Sequence, residues 1–328
     1  MKRSLKAIIL CLISVFMLVA VVGCGKKTSD KVVIYTNADD EAVEAMKKSL
    51  DLEGFKDKYT LKTFGTSELG GKLMAEGDKI EAGLITMSSY FIESAQNKND
   101  MFEKLSFNTK ALDKYQNYYS PILGNTGAIF VNTKVIKEKG VSMPKSVKDL
   151  TKLEYKGLVS IPNIMDSSTA WLLIQSIISE YGEDEGKTIL TNLVKNCGPH
   201  VESSGSGPIK KVRAGEVAAG FGLRHQAVSD NKEGKPIDYI DPVEGNYSLK
   251  EAVAVVKKKD KDSEKLAMDM AKVITTKARK ELLKYYPVAL YEGETVDDEN
   301  KPKNSKSFKE PLTLDLLKKH QEFFKAAK

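Results

Sequence analysis

The chain has 328 residues, 51 Lys and Arg against 45 Asp and Glu, a net charge of +6, and 41% apolar residues. The two signs of charge are interspersed and no basic block carries interleaved aromatics, which argues against a nucleic-acid partner. With only Cys11, Cys24 and Cys197 and three histidines, neither a disulfide framework nor a zinc-ligand spacing is present, so the fold rests on a core that about 300 residues can supply.

The first element in chain order is a positive segment, Met1 to Lys6, followed by an uncharged apolar run from Ala7 to Val22 that closes on Val21-Val22-Gly23-Cys24. The run is short for a membrane span and ends in small residues, which reads as a secretory signal over residues 1–23. Cysteine directly after Val-Val-Gly resembles the lipobox, so Cys24 is the expected lipidation site and 24–30 a polar tether, with the mature chain held at the outer face of a membrane through lipid alone. An uncleaved anchor helix or a chance cysteine is the alternative. Lys2, Arg3 and Lys6 account for three of the six excess positive charges, leaving +3 beyond residue 23.

Strand, loop and helix then alternate. Lys31 to Thr36 reads as a strand before a helix from Asp40 to Leu52, Tyr59 to Phe64 before Thr66 to Glu76, and Gly83 to Met87 before Ser89 to Gln96. Further on, Leu158 to Ile161 precedes a helix from Ser168 to Tyr181, and a short helix from Ile209 precedes a strand from Val217 to Leu223. Gly77, Gly182 and Gly215 stand where helix C-caps belong, and Pro144 marks a helix start. Such alternation predicts an α/β fold with largely parallel sheets. Gly127 to Asn132 and Glu251 to Val256 are strongly apolar and follow turn-rich stretches, which suits paired crossovers. On that reading residues 31–122 plus 249–328 form one lobe and 123–248 a second; ordinary strands of one continuous sheet are the other reading.

Candidate chemistry concentrates at the strand-to-helix junctions: Asn37 to Asp39, Thr66-Ser67, Ser88-Ser89, Ser167-Ser168-Thr169 and Ser203 to Pro208 with Ser204, Gly205 and Ser206. In an open α/β sheet these junctions lie at the carboxyl ends of strands, where free helix N–H groups suit a tetrahedral oxyanion. Each is equally an ordinary helix N-cap when taken singly. The strand ending at Leu223 delivers Arg224 and His225, which suit a bidentate anion contact and a hydrogen bond or metal, or else a surface ion and a cap. Enzyme signals are missing: no GxSxG, GxxxxGK[ST], GxGxxG or HExxH occurs, and Cys197 reads as a buried filler.

Several motifs together resemble the extracytoplasmic solute-binding components of ABC importers, in the group that includes ferric-iron, thiamine, sugar-phosphate and 2-aminoethylphosphonate binders. They are Val32 to Thr36, Thr66-Ser67-Glu68-Leu69, Tyr119 to Ile122 leading to Gly127 to Asn132, Lys156-Gly157, Ser204 to Pro208, Arg213 to Glu216 and Pro242 to Gly245, and the likeness covers nearly all of residues 31–290. It implies a two-lobed periplasmic-binding-protein fold of type II, a ligand cleft between the lobes, no cofactor, no metal, no enzymatic turnover, and a monomer working with permease and ATPase subunits. Iron-binding relatives place two adjacent tyrosines where this chain has His225-Gln226, and Tyr118-Tyr119 and Tyr285-Tyr286 lie elsewhere in the pattern. The Ser-Gly-Ser-x-Pro loop resembles the phosphonate-type members, so 2-aminoethylphosphonate or a related organophosphonate is the expected solute, ahead of a sugar phosphate and then ferric iron. A surface lipoprotein enzyme is the alternative of another class. Asp39, Glu68 or Glu202 is the expected acid for an ammonium end, and Ala82-Gly83 departs from the Ala-Asp of many members.

Overall fold

The computed structural model describes residues 31–328, so the signal, Cys24 and the tether 24–30 lie outside the described residues. Strand β1 (Val32–Thr36) leads to helix α1 (Asp40–Leu50), β2 (Tyr59–Thr63) to α2 (Thr66–Glu76), and β3 (Leu84–Ser88) to α3 (Ser89–Asn99). A long strand β4 (Tyr119–Asn132) and a short α4 (Thr133–Lys139) precede β5 (Val159–Pro162), α5 (Thr169–Cys197) and β6 (Val201–Glu202). Then come α6 (Gly207–Arg213), β7 (Ala219–Leu223), α7 (Arg224–Lys232), β8 (Ile237–Ile240), β9 (Ser248–Val255), α8 (Lys261–Val273), α9 (Arg279–Tyr285) and α10 (Leu314–Lys325). Among the described residues no helix is long and apolar enough to cross a membrane.

The strands pair in the order β2-β1-β3-β9-β4-β7-β5-β6, with β8 also on β4. Pairing is parallel within β2-β1-β3 and within β7-β5-β6, whereas β9 and β4 run antiparallel to each other and to their flanking strands. Strand β4 belongs to both parts: Tyr119 to Thr126 pair with β9, and Gly127 to Val131 with β7. Gly127 to Asn132 and Glu251 to Val256, singled out in the sequence, are thus the halves of β4 and β9 that lie on opposite sides of this join. The two sequence readings meet here, for the pairings form one path whose two parallel parts are connected through β4 and β9.

Period-two alternation distributes the core over both faces. Ile34, Leu84, Val253 and Val255 pack with Met46 and Leu50 of α1 and Ala267 and Ala271 of α8, while Tyr35, Ile85, Met87 and Ala252 pack with Leu69, Leu73 and Phe91. Four strand pairings are parallel and four antiparallel, so the sheet is mixed where the sequence suggested largely parallel pairing, and helices on both of its faces make this an α/β fold. An added Cβ at Gly83 would lie 3.3 Å from Val32 Cγ1 of β1, tighter than an ordinary contact, and at an ordinary 3.8 Å from Ala267 Cβ of α8, so the glycine eases packing against Val32.

The helix begun near Ser168 ends at Tyr181 as expected, because Gly182 (φ 74°, ψ 178°) leaves the helical region and separates it from a second helical stretch that continues α5 to Cys197. Two local expectations need correction. Pro144 precedes an irregular stretch, and the first helical turn after it starts only at Lys148. The chain beyond residue 296 does not stay with the first part of the sheet. Glu299 O accepts from Arg224 Nη1 at 2.8 Å, Lys306 pairs with Glu180 at 2.9 Å, and His320 Nδ1 accepts from Trp171 Nε1 at 2.6 Å. Those contacts place the tail against residues of 123–248, which the sequence reading assigned to the other lobe.

Candidate functional site

A cavity of about 280 Å³ opens where parallel strands from both parts of the sheet end. The loop after β1 contributes Asn37, Ala38 and Asp39, the loop after β2 contributes Phe64, Gly65 and Thr66, the turn before α5 contributes Asp166 to Thr169, and the loop after β6 contributes Ser203 to Ser206. Strand ends form crevices of this kind because each loop must leave the sheet to reach its helix.

One wall is rich in donors. Ser168 precedes α5 and Ser206 precedes α6, yet neither side chain caps its own helix. Elsewhere Asn132, Asp260 and Thr313 do cap theirs, accepting from backbone N–H groups of α4, α8 and α10. Hydroxyls spent on capping would explain serine at these positions; here only Ser167 Oγ does such work, accepting from Thr169 N at 3.3 Å. Lys210 adds a positive charge and has no ion-pair partner among the described residues. Gly205 has a structural reason, since a Cβ there would lie 2.2 Å from Thr169 Oγ1. The close approach that requires glycine is therefore to Thr169.

The opposite wall is made of acceptors. Glu251 on β9 is 4% exposed, and its Oε1 accepts from Ser88 Oγ at 2.7 Å while Oε2 has no partner. Asn37 Nδ2 donates to Thr66 Oγ1 at 3.0 Å, which leaves Asn37 Oδ1 unpaired, and Asn125 Oδ1 on β4 is unpaired as well. Asp39 accepts from the hydroxyl of Tyr286. Burial pushes the Asp39 carboxyl up to about 7, reinforced by the nearby charge of Glu41, and burial also pushes Glu251 up to about 7, with Asp39 adding to the effect. Two carboxyls therefore share a poorly solvated wall that lacks a resident cation.

Of the residues expected at the site, the cavity brings together Asn37, Asp39, Thr66, Ser167, Ser168, Thr169, Ser204, Gly205 and Ser206. Five do not line it. Ser67 Oγ donates to Met165 O at 2.6 Å, tying the start of α2 to the segment before α5. Ser88 is buried and holds Glu251, and Ser89 follows it as the first residue of α3. Arg224 is 2% exposed, gripping Asp241 with Nε at 2.7 Å and Nη2 at 3.1 Å, so its charge is spent inside the protein. The His225 ring packs on Tyr286 with centroids 4.5 Å apart and lines a separate cavity of about 360 Å³; burial drives its pKa down to about 3 and keeps it neutral. Arg224 and His225 point away because α7 starts at once after Leu223, which turns both side chains off the strand end. Among the acids expected for an ammonium end, Asp39 lines the cavity and Glu68 and Glu202 do not. Sequence reasoning missed Glu251, Asn125, Lys210 and Tyr286; an acid inside an otherwise apolar strand run was the available signal for the first.

Comparison with known proteins agrees with this architecture. Residues 77–310 match the family described as bacterial extracellular solute-binding protein, and the chain belongs to that family. An uncharacterized protein of Haemophilus influenzae is 26% identical over 260 residues, 74% of this chain and 72% of its own. The periplasmic binding protein P5PA superposes with a TM-score of 0.73 at 18% identity, covering 90% of this chain and 97% of its own. AfuA of Actinobacillus pleuropneumoniae, solved with exogenous fructose-6-phosphate bound, gives a TM-score of 0.66 at 21% identity over 90% of this chain and 93% of its own. The protein is thus an extracytoplasmic substrate-binding component of an ABC importer, one that binds a small solute and works with permease and ATPase subunits without transforming it.

Proposed function

We propose that this protein captures a small solute with a tetrahedral oxyanion headgroup, 2-aminoethylphosphonate or a related organophosphonate, for import. The observation that carries this reading is the donor wall, where the hydroxyls of Ser168 and Ser206 are left free of capping beside Lys210 in one cavity. Preorganised N–H and O–H groups at helix starts suit a phosphonate because they meet its charge with little rearrangement. Residues 31–122 with 249–296 act as one lobe and 123–248, carrying the tail, as the other, hinged at β4 and β9, with the Ser67 to Met165 bond closing the two over the solute. The lipid on Cys24 holds the assembly at the membrane.

A sugar phosphate is the second reading, since it offers the same headgroup and AfuA was solved with one. Ferric iron ranks third because Tyr286 is the single tyrosine at the cavity, so no pair of adjacent phenolates is assembled. Native mass spectrometry of protein purified without refolding, followed by calorimetric titration with organophosphonates, sugar phosphates and ferric citrate, tests the order. A stoichiometric phosphonate complex is expected. Binding of sugar phosphates alone, or a coloured one-to-one ferric complex, would reverse it.

A further inference from the structure

Resting on the reading of the cavity as an oxyanion site, we infer that its acceptor wall is a subsite for a primary ammonium group, built by Glu251, Asn37 and Asn125. Three oxygens from three separate elements, Glu251 Oε2, Asn37 Oδ1 and Asn125 Oδ1, are buried and unpartnered, and all three residues line the same cavity. Leaving a buried acceptor unpaired is costly, and three together mark a place that a ligand is meant to complete.

Charge decides what completes it. Asp39 and Glu251 put two carboxyls on this wall, while Lys210, which has no ion-pair partner among the described residues, lines the cavity from α6. A hydroxyl would satisfy lone pairs and leave the negative charge uncompensated. A primary ammonium supplies three N–H donors, one for each acceptor, together with the missing positive charge. A quaternary ammonium has the charge but no donor, so it is excluded. The solute is accordingly a zwitterion, with its oxyanion on the serine wall and its amine against β9 and β4.

Calorimetric titration of the whole protein with 2-aminoethylphosphonate, ethylphosphonate and the N,N,N-trimethyl analogue tests this. Expected is a preference of at least about tenfold for the primary amine over both others, the size of one charge-assisted hydrogen bond. Glu251→Gln keeps an acceptor for Ser88 but removes the charge, and the preference should collapse to within about threefold. Asn125→Ala, on a different strand, gives the same readout should the first variant fail to fold. Equal binding of amine and non-amine probes, or a preference that survives in Glu251→Gln, overturns the ammonium subsite while leaving the oxyanion reading intact. If neither phosphonate binds, that reading has lost its phosphonate, and glucosamine 6-phosphate against glucose 6-phosphate carries the comparison: a preference for the amine supports the subsite. Equal affinity overturns it, and no binding by either pair overturns both readings.

Discussion

Burial pushes both Asp39 and Glu251 up to about 7 by disfavouring their charged forms, with the charges of Glu41 and Asp40 adding to the effect on Asp39 and that of Asp39 adding to the effect on Glu251. A carboxyl whose folded pKa lies above its unfolded value stabilises the protein most below the unfolded pKa, near 4, and that contribution is lost as the pH rises through about 7. In the free protein the thermal midpoint should therefore lose this contribution between about pH 4 and 7, whereas an amine-bearing solute, which pairs with the ionised wall, should reverse the trend. The groups facing the pair are Asp40, Glu41, Tyr90 and Tyr286 nearby and Asp166 and Lys210 across the cavity; His225, behind Tyr286, stays neutral throughout this range. Amine binding at pH 7 should release protons, measurable as a dependence of calorimetric heat on buffer ionisation enthalpy, and the amine preference should weaken by up to about tenfold per pH unit per coupled proton below 7. An unchanged heat in buffers of different enthalpy would contradict this. Arg224 makes the opposite case, a charged residue whose work is structural. Its removal leaves Asp241, 6% exposed at the side chain, without its partner, so Arg224→Ala should cost about 3–5 kcal/mol in urea unfolding. Solute affinity of the folded fraction should stay within about threefold, because the guanidinium never reaches the cavity.

At the scale of elements, the loop from Ser203 to Ser206 lies between β6 and α6 and presents Ser206 to the cavity. Ser206→Glu should weaken phosphonate binding by at least about tenfold in calorimetry, through bulk and like-charge repulsion together, with little change in the midpoint of the free protein. Wild-type affinity would show that the loop lies outside the site. What the sequence made legible follows from locality. Junctions after β1, β2 and β5 could be read because strand, hydroxyl-bearing loop and helix follow one another within a few residues. Glu251 could not, since its meaning depends on the antiparallel register that sets it opposite Ser88, 163 residues earlier in the chain. Arg224 and His225 misled for a related reason: their position at a strand end is local, but the direction of their side chains depends on how soon α7 begins. The tail after residue 296 was assigned by continuity, and its course is set by distant partners such as Trp171 and Glu180.

For the molecule as a whole, the proposed anchor separates residence from recognition. Cys24→Ala should abolish acylation and shift the protein from the detergent phase to the aqueous phase in a partition assay, with solute binding by the released chain unchanged. Continued membrane association of that variant would point to an uncleaved anchor helix. The chain carries a single tryptophan, Trp171, two residues into the helix whose start lines the cavity. Its indole meets the Tyr90 ring edge-on with centroids 5.0 Å apart and donates to His320 of the C-terminal helix. One chromophore on α5 therefore touches α3 and the tail at once, fully shielded from water. Its emission is a built-in optical gauge: solute capture should perturb it through the start of α5, whereas deleting residues 313–328 should shift it to the red by admitting water, so the colour and the intensity of one signal report separately on occupancy and on the seating of the tail.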